Sequence, residues 1–170
     1  MRKWLLVLSL LLAFWLDTIF FNLVGLYGMM RPDVMLAVTV SLGVLMGPAP
    51  AAAIGFGMGL LADIFFNKIV GLTALTYMLS GVAGGLFFHK FYADNLVIPT
   101  VTAMACSFLK EHILLIASVI AGARPPYFLT FATYIIPCFL LTGGVCLLIH
   151  LFFKKNLYRQ LWRQEAIKLE

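Results

Sequence analysis

Four charged side chains stand inside apolar runs of this sequence: Asp17, Asp63, Lys110 and Glu111. An ionised side chain in hydrocarbon costs about 2.5–3.5 kcal/mol on insertion scales, so each should face protein or water rather than lipid. Two chemistries fit acids in such places. One is an ion or proton path; the other is a hydrogen-bond network that ties helices, or a helix and a partner, together. Around Glu111, helical spacing puts Ser107, Leu114 and Ser118 on the same side and marks a protein-facing stripe. Lys110 points about 100° away from Glu111, so simple mutual neutralisation of the two is not expected.

Other reactive residue types give no constellation. Cys106, Cys138 and Cys146 are odd in number and scattered, which offers neither a disulfide framework nor a metal site. Neither His89 nor His150 has ligand spacing to another His or Cys. Gly55-x-Gly57-x-Gly59 lies within an apolar run with no strand before it and no lysine after it, unlike a phosphate-binding loop. No catalytic residue, cofactor, metal or nucleic-acid partner is expected.

The elements that must position the acids are membrane helices. Of 170 residues 63% are hydrophobic and only 11% are charged. A soluble domain of this length could not hide so much apolar surface, and the runs do not alternate as strands would. An all-α integral membrane protein with about six spans follows, at roughly 4–23, 33–47, 49–66, 72–88, 97–120 and 127–153. The first resembles a signal peptide, but its apolar run continues past Asp17 with no small-residue cleavage site, so an uncleaved span is expected. The second, Val34 to Met46, covers only about 20 Å; it either extends through Asp33 and Gly47 or sits where the bilayer is thin. Gly47-Pro48-Ala49-Pro50 reads as a turn, and Pro137 is a candidate kink. Residues 154–170 form a basic tail with an amphipathic pattern suited to anionic lipid.

Between Ala51 and Gly85 the small residues recur every fourth position. Ala51, Gly55 and Gly59 lead up one helix to Asp63, and Thr73, Tyr77, Gly81 and Gly85 repeat the spacing on the next. Such strips let backbones approach closely where lipid gives no hydrophobic drive for helix association. A packed hairpin is expected, with Asp63 hydrogen-bonded near its turn. Asp17 through Leu26 also resembles Asp63 through Leu72, with a one-residue slip, as in an internal repeat.

Arg31-Pro32-Asp33, Gly55-Phe56-Gly57-x-Gly59-Leu60-Leu61-x-Asp63, Gly71-Leu72-x-Ala74-Leu75 and the Gly81/Gly85 helix resemble the MreD rod-shape-determining family. The resemblance implies a non-enzymatic scaffold of the cell-elongation, peptidoglycan-synthesising machinery in the bacterial inner membrane. It implies as partners an MreC-like bitopic membrane protein, the MreB filament, RodA and a class B penicillin-binding protein. Gly55, Gly59, Gly81, Gly85, Arg31 and Asp33 are then candidates for partner or helix packing, and Asp17, Asp63 and Glu111 for a polar intramembrane network. Such proteins also resemble the small substrate-binding subunits of energy-coupling-factor vitamin transporters, which makes transport the competing class. Those subunits dock through small residues on the first helix; here that span is rich in Leu, Phe and Trp, which weighs against transport.

Lysine and arginine placement sets the expected orientation. With the N-terminus inside, eight basic residues fall on the cytoplasmic face (Arg2, Lys3, Lys90, Lys154, Lys155, Arg159, Arg163 and Lys168) and three outside (Arg31, Lys68 and Arg124). Reporter fusions after Lys90 and after Glu170 should therefore both behave as cytoplasmic. A periplasmic C-terminus would show that a span has been miscounted.

Overall fold

The computed structural model describes residues 3–20, 31–66, 70–88, 95–123 and 126–153. The end of the first span, Lys68, His89, Arg124 and the basic tail lie outside these residues. The described residues are helical, with no strand among them. We number the helices α1 (Lys3–Trp15, continuing as a π-helical turn, Leu16–Phe20), α2 (Val34–Met46), α3 (Pro48–Phe66), α4 (Leu72–Gly85), α5 (Val97–Ile120) and α6 (Tyr127–Phe153). Among the described residues three stretches are long and apolar enough to cross a membrane: Pro48–Phe65, Val97–Ile120 and Tyr127–Phe153.

The short second helix is the centre of the bundle. Every residue from Val34 to Leu45 is buried, and α2 packs against all five other helices. At 13 residues it is too short to cross the hydrocarbon core by itself, and protein rather than lipid surrounds it. It does not extend past its expected ends: Asp33 is its N-cap and Gly47, at φ 93°, its C-cap. The expected four-residue turn after it shrinks to Gly47 alone, because α3 begins at Pro48. Pro48 and Pro50 fall in the first turn of α3, where missing N–H groups cost nothing.

α3 and α4 form the glycine hairpin. A Cβ at Gly55 would lie 2.5 Å from the Tyr77 carbonyl oxygen, one at Gly59 2.5 Å from Ala74 Cα, and one at Gly81 2.6 Å from the Ala51 carbonyl oxygen; at Gly85 it would collide with the Pro48 backbone. α4 meets α2 in the same way, through Gly84 against the Val40 carbonyl and Gly43 against that of Gly81. These candidate residues are therefore spent on packing within the chain, and none of the four offers its small face to a partner.

α5 and α6 form the other hairpin. The buried stripe of α5 is Pro99, Ala103, Ser107 and Glu111; it stops there, leaving Leu114 and Ser118 half-buried. In α6 a π-helical turn at Phe131–Ile135 takes the place of a simple kink. Pro137 has no N–H for the carbonyl of Thr133, and the ladder widens just before it.

Gly59→Leu should destabilise the protein by about 1–3 kcal/mol or more, since backbone stands where the side chain must go. Gly57, whose Cβ would meet nothing within 4 Å, is the matched control, and Gly57→Leu should leave the melting temperature of the detergent-solubilised protein nearly unchanged. Equal melting of the two variants would contradict the hairpin packing.

Candidate functional site

Because α2 starts inside the bundle, water cannot satisfy its first N–H groups, and the protein must. It does so completely. The Asp33 N–H donates to Thr142 Oγ1 (3.0 Å), that of Val34 to Asp17 Oδ1 (3.0 Å) and that of Met35 to Asp17 Oδ2 (3.1 Å). The Leu36 N–H is capped by Asp33 Oδ1 at 2.8 Å, and Ala37 begins the regular ladder to the Asp33 carbonyl. Two carboxylates at a helix N-terminus also complement its partial positive charge. Asp17 reaches this position from the π-helical turn of α1.

Asp33 then gathers the remaining helices. Its Oδ1 accepts the Tyr77 hydroxyl of α4 at 2.7 Å, and its Oδ2 the Lys110 ammonium of α5 at 2.6 Å. The ammonium lies 3.1 Å from Glu111 Oε1 and 5.7 Å from the centre of the Tyr77 ring. Thr142 of α6 donates to the Cys138 carbonyl and faces Ser107 at 3.5 Å. Five helices thus meet around one aspartate.

Sequence spacing gave no sign of the contact between Lys110 and Glu111. The 100° between them holds at the backbone, but the lysine stem is long enough to bring its ammonium back between Asp33 and Glu111. Their neighbour His112 turns away. It sits among Phe108, Tyr127 and Phe131, with Nδ1 2.9 Å from the Phe108 carbonyl oxygen.

Asp63 belongs to a second arrangement. It is fully buried on α3, and its Oδ2 accepts the N–H groups of Gly71 (2.8 Å) and Ala74 (3.0 Å) at the start of α4. Gly71, the N-cap of α4 at φ 103°, has no side chain to do this itself. So the predicted trio divides: Asp17 and Glu111 join the cluster around Asp33, and Asp63 closes the α3–α4 hairpin. Arg31 is exposed beside the cluster. Asp33, read from sequence as a packing or partner residue, is instead the hub. Its signal was an acid directly before an apolar run, the usual N-cap pattern. Tyr77, Thr142 and the role of Lys110 had no comparable local signal. Among the described residues no three His, Cys, Asp or Glu lie close enough to hold a metal ion.

The two capping aspartates differ in a way that substitution reveals. Asp63 accepts both amides on one oxygen, which an Asn can also present, whereas Asp63→Leu loses both bonds. Asp17 uses both oxygens, so Asp17→Asn must turn an NH₂ against a backbone N–H, at about 1–3 kcal/mol for the group left unpaired. In thermal unfolding of purified protein, Asp63→Asn should be near wild type, and Asp17→Asn and Asp63→Leu clearly destabilised. Equal loss in both Asn variants would mean that charge, not hydrogen bonding, is what matters.

Lys110 and Asp33 should behave as a pair. Lys110→Met strands a buried carboxylate and should cost about 3–5 kcal/mol. Asp33→Asn in the same chain should restore much of that loss, as a double-mutant cycle in unfolding would measure. Simple additivity would refute the pairing.

Comparison with curated proteins and with solved structures gives no match. The family description "rod shape-determining protein MreD" matches residues 1–161. With that match spanning the glycine hairpin and the polar cluster alike, the chain belongs to the MreD family of rod shape-determining membrane proteins.

Proposed function

We propose that this MreD-family protein is a non-enzymatic scaffold of the cell-elongation machinery in the bacterial inner membrane, with both termini in the cytoplasm. It would dock an MreC-like bitopic protein and so act with the MreB filament, RodA and a class B penicillin-binding protein in peptidoglycan synthesis. On this reading it keeps the six-helix layout of the substrate-binding subunits of energy-coupling-factor transporters while serving as a rigid body.

The observation that carries scaffold over transport is the use to which the intramembrane acids are put. Asp17, Asp33 and Asp63 all cap helix N-termini, and Glu111 shares the Lys110 ammonium with Asp33. Groups occupied in joining helices favour a fixed shape over a changing ion path. Docking must use outward surfaces, since Gly55, Gly59, Gly81 and Gly85 are covered within the chain.

The test is co-expression with an MreC-like protein followed by affinity purification in mild detergent, alongside complementation of cells lacking their own family member. The two proteins should co-purify, and rod shape should return. Failure to co-purify together with uptake or binding of a small vitamin by the purified chain would overturn the scaffold reading.

A further inference from the structure

We draw no further inference here: the strongest candidate, the outward-facing small-residue strip of Ala49, Ala53 and Gly57 on α3, carries nothing because nothing in the structure shows what covers it.

Discussion

A helix that begins inside an apolar bundle brings with it backbone N–H groups that water cannot reach. For α2 this is the constraint on which the rest of the structure depends. Each unpaired amide would cost about 1–3 kcal/mol, so the four at the start of α2 together approach or exceed what a small domain can lose. The solution draws on three helices: Asp17 from α1, Asp33 from α2 itself and Thr142 from α6. Asp33 is then a buried anion and needs a counter-charge of its own, which Lys110 supplies with Tyr77 as a second donor. One unsatisfied helix end thereby recruits every element of the bundle except α3.

α3 joins by the same chemistry at another place. Asp63 stands near the end of α3 and holds the first turn of α4, as Asp17 stands near the end of α1 and holds the first turn of α2. The echo between the segments starting at Asp17 and Asp63 thus has a physical counterpart: in each, an acid on one helix caps the start of the next. The solutions differ in detail. Asp17 spreads two amides over two oxygens beside an N-cap aspartate, whereas Asp63 brings one oxygen to two amides where the N-cap is a glycine.

What the sequence revealed depended on the distance over which a signal acts. The glycine hairpin was legible because four-residue spacing on neighbouring helices already says that two smooth faces exist, and a short connection says that they meet. Spacing did not say whether the faces serve the chain or a partner. The central place of α2 was half legible: its shortness stood out, but nothing in an all-apolar run tells a protein-facing helix from a lipid-facing one. The cluster around Asp33 was hidden, since Tyr77 and Lys110 lie 44 and 77 residues away from it. The Lys110–Glu111 contact was not foreseen because angles between Cα atoms neglect the reach of a lysine stem.

A buried ion pair in such a bundle is weak evidence of stability, because desolvation consumes much of the attraction. Register is the better account of what Asp33 and Lys110 contribute. In lipid, helices gain little from burying apolar surface against each other, and small-residue strips that repeat every fourth position fit nearly as well after sliding one turn. A tight turn prevents this between α2 and α3, where Gly47 is the whole connection. It does not prevent it between α2 and α4 or between α2 and α5, which are not consecutive. There, one turn of slippage, about 5.4 Å, would pull the Tyr77 hydroxyl and the Lys110 ammonium from Asp33 and strand a charge. The glycines set how closely these helices approach, and the polar cluster sets where along their length they stop.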